Sequence, residues 1–79
     1  TEDLEFNNVS FKEAETLLEE RFGVSITIPD RNLQETRFTT SLGADETLDH
    51  FLKIVCEFNN ADYIYNKNNQ QITIKPLNP

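Results

Sequence analysis

Apolar and polar residues follow two different periods along this chain, and the clearer of the two is helical. The apolar side chains of residues 48–58 recur at helical spacing, and they are Leu48, Phe51, Leu52, Val55 and Phe58. This spacing places them on one side of an α-helix of 3.6 residues per turn. Thr47 is the expected N-cap, and Asp49 falls in the first turn, where a carboxylate is favourable. The pattern predicts a helix that buries this apolar stripe.

A second helix is predicted nearer the N-terminus. Ser10 and Glu13 have the S-x-x-E spacing of a capping box, in which each side chain binds the other residue's backbone amide. The helix is expected to run to Phe22 and to end at Gly23, because glycine readily takes the left-handed conformation of a helix cap. Its apolar positions are Phe11, Ala14, Leu17, Leu18 and Phe22.

Short segments in which apolar and polar residues alternate predict β-strands. They are residues 4–7, 24–28, 37–42, 61–66 and 71–75. The first is expected to end at Asn7 and Asn8, and the second at Pro29, which cannot donate to a strand ladder. In the third, Phe38 and Leu42 are expected to face inward.

Polar segments connect these elements. Residues 29–36 are predicted to be a polar connector with Leu33 as its single apolar anchor. Residues 43–46 and 67–70 are predicted turns, because they are rich in turn-forming and polar residues. Residues 76–79 are expected to form a loose tail.

The two predicted helices belong to two copies of one strand–helix–strand unit. A shift of 37 positions places Ser10 on Thr47 and Gly23 on Asn60. Neither copy has enough apolar residues for its own core, so the two must pack together. The predicted fold is α+β in the order βαβ-βαββ, with two helices packed together and covered by small two- and three-stranded sheets. We expect a single domain over residues 1–79, with a core over residues 4–75.

Charge excludes some classes of partner. The 79 residues include 7 basic and 14 acidic side chains, for a net charge of −7. Nucleic-acid binding requires Lys and Arg to neutralise phosphates, and anionic membrane surfaces also attract basic segments. No apolar run is long enough to span a membrane, and no signal-peptide pattern is present. Because the first residue is Thr1, the chain is expected to be a piece of a longer protein.

No residue pattern indicates catalysis. Cys56 is the single cysteine, and its position beside the apolar stripe predicts a small buried residue. A reactive thiol would need nearby cations or a helix N-terminus. His50 is predicted to be a solvated helix residue, with no serine or cysteine nucleophile near it in the sequence. We therefore expect no enzyme activity.

No cofactor or metal site is predicted either. Asp45, Glu46 and Asp49 match no calcium-binding loop, and a helix N-terminus already favours carboxylates. A run of acidic residues is interpreted as a solvated helix face, and it comprises Glu13, Glu15, Glu19 and Glu20. The chain also has no glycine-rich phosphate loop. We expect no small-molecule ligand.

Binding through strands is the remaining possibility. Small sheets have edges whose unpaired backbone groups can pair with another chain. If Phe38 and Leu42 face inward, Arg37, Thr39 and Ser41 face away from the core. These three residues are the predicted partner-binding residues, although solvent exposure alone would also explain their short polar side chains.

The order of motifs resembles a known family. An L-x-F strand is followed by a capped helix leading into F-G-V and an I-x-I strand, then by an R-F-T strand, a T-L-x-x-F-L helix, a Y-x-Y strand and a final I-T-I. This pattern, over residues 4–74, resembles the C-terminal domain of FecR-type anti-sigma regulators, in the version common in Bacteroidetes. The same plan is related to the secretin and TonB short N-terminal domain, but the R-F-T strand and the polar connector before it favour the FecR type, as does the end of the chain soon after I-T-I.

The resemblance implies a function without catalysis or cofactor. The parent would be a single-pass inner-membrane protein, and its cytoplasmic part would hold an extracytoplasmic-function sigma factor. This domain would lie in the periplasm and would receive a signal by contact with the signalling domain of a TonB-dependent outer-membrane transporter. The resemblance carries no catalytic residues to this sequence.

Two alternatives remain open at this point. One is the short N-terminal signalling or docking domain of a transporter or secretin. The other is a small-ligand-binding or enzymatic α+β module, which a dry and well-packed interior would count against.

Overall fold

Helices and strands mix along the whole of residues 2–77, the part of the chain that the computed structural model describes. The elements are β1 (Leu4–Ser10), α1 (Phe11–Phe22), β2 (Ser25–Thr27), α2 (Arg31–Glu35), β3 (Arg37–Leu42), α3 (Leu48–Phe58), β4 (Ala61–Asn66) and β5 (Gln71–Pro76). The α+β class is confirmed.

The strands form two small sheets, as predicted. β1 and β3 make an antiparallel pair, and the second sheet has the order β2-β5-β4. β5 lies between β2, which is parallel to it, and β4, which is antiparallel. Each sheet therefore joins strands from both copies of the repeated unit. This arrangement explains why neither copy needs a core of its own.

One apolar core fills the space between the helices and the sheets. Its most deeply buried large side chains come from β1, β3, α3 and β5, and they are Phe6, Leu42, Leu52 and Ile72. The Phe6 ring lies 5.0 Å from that of Phe51 and 5.9 Å from that of Phe38, measured between centroids. Side chains of α1, α3 and both sheets surround an internal space of only about 10 Å³. That space is no larger than one water molecule needs.

Both predicted helix starts are confirmed. The Glu13 amide donates to the Ser10 hydroxyl at 3.1 Å, and the Ser10 amide donates to the Glu13 carboxylate at 2.9 Å. At the start of α3, the Thr47 hydroxyl accepts from the His50 amide at 3.2 Å. These bonds satisfy amides that the first turn of a helix leaves unpaired.

The predicted repeat is also visible in the backbone after each long helix. Gly23 has φ of 67° and Asn60 has φ of 53°. The two positions that coincide after a shift of 37 residues therefore share the left-handed conformation, which glycine and asparagine adopt most readily.

Strand β1 does not end at Asn7 and Asn8, so this prediction was wrong. It continues to Ser10 through a bulge: Phe6 pairs with Thr40, but the next pair is Val9 with Phe38. The bulge has a tertiary cause. The Asn8 amide donates to the Thr39 hydroxyl at 3.0 Å, and the Arg37 guanidinium donates to the Asn8 carbonyl at 2.7 Å.

The connector over residues 29–36 contains a helix, α2, that we did not predict. The Asp30 carboxylate accepts from the Leu33 amide at 3.0 Å and caps it. Leu33 is buried and anchors the segment, as predicted. At the other end of the chain, Pro76 is the last residue of β5, and the Leu77 amide donates to the Asn60 carbonyl at 2.9 Å. The predicted tail residues Asn78 and Pro79 lie outside the described residues.

Candidate partner-binding surface

Each of the two small sheets has two outer strands, and an unprotected outer edge can recruit a strand from another chain. The outer strands within residues 2–77 are β1, β3, β2 and β4. Native proteins blunt such edges with bulges, charges or side chains that bind the outward backbone groups. The four edges differ in whether they carry such protection.

The edges of β1 and β2 are protected. β1 carries the bulge at Asn8, which has φ of 52° and interrupts the regular spacing that an added strand would need. β2 spans only three residues. The Ile26 amide, at its centre, already donates to the Glu19 carboxylate at 2.8 Å. Glu19 is therefore half-buried and structural, and our prediction that it is simply solvated was wrong.

The edge of β4 is also guarded. The Tyr63 amide donates to the carboxylate of the preceding Asp62 at 2.8 Å. An acidic side chain held along an outer strand opposes pairing with another chain. The neighbouring Ile64 is 57% exposed, so this strand still presents one apolar side chain to solvent.

The edge of β3 has none of these protections. All six residues of Arg37–Leu42 are in regular strand. Within residues 2–77, no backbone group of β3 has a hydrogen-bond partner outside its ladder with β1. In an antiparallel pair, alternate residues direct their N–H and C=O groups away from the partner strand. β3 therefore offers a row of unpaired donors and acceptors.

An apolar groove runs along this open edge. It has a volume of about 180 Å³ and is lined on one side by residues of β3 and on the other by the C-terminal half of α3. The lining residues are Phe38, Thr39, Thr40, Ile54, Val55, Phe58 and Asn59. Three consecutive strand residues can line one groove only along the edge of the strand, because successive side chains point to opposite faces. We call this feature the β3–α3 groove.

Phe58 lies on the outer side of the groove, and its predicted burial was wrong. Its side chain is 86% exposed, whereas Phe51, Leu52 and Val55 on the same helix are buried. At 3.6 residues per turn, Phe58 lies about 90° from the centre of the buried stripe. Phe51, seven residues earlier, lies only about 20° from Phe58 around the helix and is buried, so the angle alone does not separate them. The signal in the sequence was that Phe58 is the last apolar residue before Asn59 and Asn60, at the end of the helix.

A comparison with families of known proteins identifies the chain. The family model described as "FecR, C-terminal" matches residues 3–74. The chain belongs to the FecR C-terminal family. FecR-type proteins are anti-sigma regulators, so the domain is regulatory in class. Neither the search of curated proteins nor the search of solved structures found a significant match.

The predicted partner-binding residues of this FecR C-terminal domain are Arg37, Thr39 and Ser41, and all three are exposed. The structure gives them different surroundings. Arg37 donates to the Asn8 carbonyl and lies 3.6 Å from the Glu13 carboxylate. Thr39 accepts from the Asn8 amide and is the member of the three that lines the β3–α3 groove. Sequence reasoning missed the other side of this groove, formed by Ile54 and Phe58.

Cys56 is a buried residue, as predicted, with 2% of its surface exposed. Burial, reinforced by the nearby charge of Asp62, raises the pKa of its thiol to about 12. Nucleophilic attack requires the thiolate. The thiol in the folded domain is therefore inert at neutral pH.

Two acidic residues of α1, Glu13 and Glu19, accept hydrogen bonds from backbone amides. Hydrogen bonds from the backbone and hydroxyl of Ser10 lower the pKa of Glu13. Desolvation, followed by the charge of Glu19, raises the pKa of Glu15. Glu13 and Glu20 are exposed, whereas Glu15 and Glu19 are half-buried.

Glu46 and Asp49, two of the acidic residues around the start of α3, pair with basic side chains within the domain. Glu46 lies 2.9 Å from His50, and Asp49 lies 2.7 Å from the Lys67 ammonium. Residues 2–77 contain no group of three or more His, Cys, Asp or Glu side chains arranged to hold a metal ion. None of the helices in this range has the length and apolar character needed to cross a membrane.

Proposed function

We propose that this domain is the periplasmic signal-relay module of a FecR-like anti-sigma factor. It receives a signal by contact with the signalling domain of a TonB-dependent outer-membrane transporter. The parent protein crosses the inner membrane once, and its cytoplasmic part controls an extracytoplasmic-function sigma factor. The observation that carries the proposal is the FecR C-terminal match over residues 3–74.

The surface of the domain supports a role in protein contact. The internal space of about 10 Å³ cannot hold a metabolite. The β3–α3 groove, at about 180 Å³, is smaller than the roughly 300–1,000 Å³ of typical small-molecule sites. An open strand edge, by contrast, is a common means of recognising a peptide or a neighbouring domain.

Within this function, we propose that Arg37, Thr39 and Ser41 contact the transporter's signalling domain. They lie on one exposed face of β3, the strand whose outer edge is open. A partner strand paired with that edge would continue this face, so side chains on the two strands would become neighbours.

Affinity capture from a cell-envelope extract tests the function. The domain is used as bait, and retained proteins are identified by mass spectrometry. We expect recovery of a TonB-dependent transporter that carries an extra N-terminal domain. Recovery of secretin subunits alone would contradict the proposal and would indicate a role in assembly.

A pair of proline substitutions tests whether the contact uses the edge of β3. Of Thr39 and Thr40, one directs its amide toward β1 and the other toward the open edge, because the direction alternates along a strand. Proline at the outward amide leaves the ladder intact, so that variant should fold and lose transporter binding. Circular dichroism identifies the folded variant, and calorimetric titration with the purified signalling domain measures its affinity. Unchanged affinity in that variant would exclude edge pairing.

A further inference from the structure

We infer that the β3–α3 groove binds an extended strand of the partner that inserts a large apolar side chain against Phe58 and carries Lys or Arg beside it. This inference rests on the proposed function and assigns a surface and a chemistry to the contact. The occupant is a single β-strand of the transporter's signalling domain that carries Lys or Arg.

The open edge determines the backbone of the occupant. β1, β2 and β4 are each protected by a bulge, by Glu19 or by Asp62. β3 alone among the outer strands described presents a regular row of unpaired backbone groups over its six residues. Only an extended chain can satisfy alternate N–H and C=O groups along such an edge.

The β3–α3 groove determines which kind of side chain the partner strand inserts. An added strand would lie between β3 and the end of α3, and alternate side chains would point into the space lined by Phe38, Ile54 and Phe58. Phe58 is the most exposed large apolar side chain in residues 2–77, at 86%. An exposed aromatic ring next to an open edge gives an inserted apolar side chain a surface that the two can exclude from water together.

The negative charge beside the groove determines which residues flank the inserted side chain on the partner strand. Glu57 lies on the same surface as Ile54 and Phe58 and is exposed. The chain as a whole carries a net charge of −7. A Lys or Arg on the partner would therefore be attracted to this side of the groove. The same charge disfavours a second copy of this chain as the occupant, because two such surfaces would repel each other.

Site-specific photocrosslinking in the full-length parent protein tests the inference. A benzoylphenylalanine is introduced at position 58 or, as a matched control, at position 64, which is the exposed apolar residue on the guarded edge of β4. Crosslinked partners are identified by mass spectrometry, and the peptide joined to position 58 is sequenced.

Each outcome has a distinct meaning. Crosslinking of the transporter's signalling domain at 58 and not at 64, through a strand that contains Lys or Arg, supports the inference. Transporter crosslinking at 64 alone overturns the inference and leaves the proposed function intact. A crosslink at position 58 to a protein of another class overturns the proposed function, but it still shows that the β3–α3 groove is a binding surface. A crosslink to a second copy, or none at 58, overturns the inference.

Point variants give a quantitative version of the test. Phe58→Ser should weaken binding of the purified signalling domain by about 10- to 100-fold, the usual effect of removing an aromatic contact at the centre of an interface. Glu57→Lys should weaken it by about two- to fivefold. Ile64→Ser should leave affinity unchanged. Phe58 and Ile64 are both exposed, so these variants keep the fold, and equal affinities for all three would contradict the inference.

Discussion

Phe51 and Phe58 carry the same side chain on the same helix, but 2% of one and 86% of the other is exposed. The Phe51 ring contacts Phe6 at the centre of the core. Phe58 lies on the last turn of α3, beyond the area that the sheets cover. Because the two residues are seven positions apart, they differ by only about 20° around the helix. At the residue scale, position along the helix therefore decides which phenylalanine stabilises the fold and which lies at the surface.

This difference predicts a large effect on stability at Phe51 and almost none at Phe58. Phe51→Ala should lower the free energy of unfolding by about 3–5 kcal/mol, because it removes buried apolar surface and leaves a cavity. Phe58→Ala should change it by less than about 0.5 kcal/mol. Urea denaturation of the two variants measures both values. A large loss of stability in Phe58→Ala would show that Phe58 is part of the core.

The pKa of Cys56 predicts both reactivity and pH dependence. With its pKa raised to about 12 in the folded state, against 9.0 for an ordinary thiol, the native protein should resist alkylation by iodoacetamide at pH 8. Alkylation should proceed in urea. Because the unfolded chain ionises at lower pH, the contribution of the thiol to stability is complete below pH 9.0 and declines above it.

Mass spectrometry of samples taken during alkylation checks the first part of this prediction. A Cys56→Ala variant is the control for the second, because its stability should lack this decline at alkaline pH. Rapid modification of the native protein at pH 8 would contradict the buried position of the thiol.

At the scale of elements, the capping box fixes the start of α1. Ser10→Ala should lower stability by about 1 kcal/mol, since it removes the acceptor for the Glu13 amide. The pKa of Glu13 is lowered by hydrogen bonds from Ser10. Its stabilising effect is therefore present above its ordinary pKa of 4.5 and is lost as the pH falls through the lower value of the folded state.

Thermal unfolding at pH 7 and pH 3 measures this prediction. The difference in melting temperature between wild type and Ser10→Ala should be larger at pH 7 than at pH 3. Thr47→Ala, at the equivalent cap of α3, is a useful control, because its hydroxyl bonds the His50 amide without a carboxylate partner. If the loss of melting temperature depended on pH equally in Ser10→Ala and in Thr47→Ala, the Glu13 carboxylate would have no role in the pH dependence of stability.

The protected edge of β2 gives a second prediction at this scale. Glu19→Ala removes the acceptor for the Ile26 amide, so it should lower stability by about 1–2 kcal/mol. Glu20→Ala, on the exposed side of the same helix, should change stability by less than about 0.5 kcal/mol. The midpoints of urea denaturation of the two variants compare these effects. Equal midpoints would mean that the hydrogen bond between the Ile26 amide and Glu19 contributes nothing to stability.

Features set by nearby residues could be predicted from the sequence. The caps at Ser10 and Thr47 and the left-handed residues Gly23 and Asn60 depend on spacings of a few positions. The bulge at Asn8 depends on Thr39 and Arg37, which lie 31 and 29 positions away. No local pattern contains that information.

The candidate surface could be predicted only in part, for the same reason. The alternation in β3 was enough to place Arg37, Thr39 and Ser41 on an exposed face. Whether the edge of β3 is open depends on the sheet order, and the groove depends on where α3 ends relative to β3. Both are properties of the assembled fold.

At the scale of the whole molecule, a net charge of −7 should control how quickly partners associate. If the occupant of the β3–α3 groove carries Lys or Arg, the association rate with the signalling domain should fall as salt is raised, because ions screen long-range attraction. Stopped-flow measurements between about 0.05 and 0.5 M salt test this. An association rate that is independent of salt would show that charge plays no part in the encounter.

The sheet formed by β1 and β3 has only two strands, and an isolated two-stranded sheet has little stability of its own. A partner strand on β3 would become its third strand and would couple binding to the stability of the domain. β1, which never touches the partner, would then report on the bound state: its backbone amides should exchange with deuterium more slowly when β3 is occupied. The two-stranded sheet would thus respond to the binding of a partner strand on β3. Its response would be less frequent local unfolding, without a change in the shape of the domain.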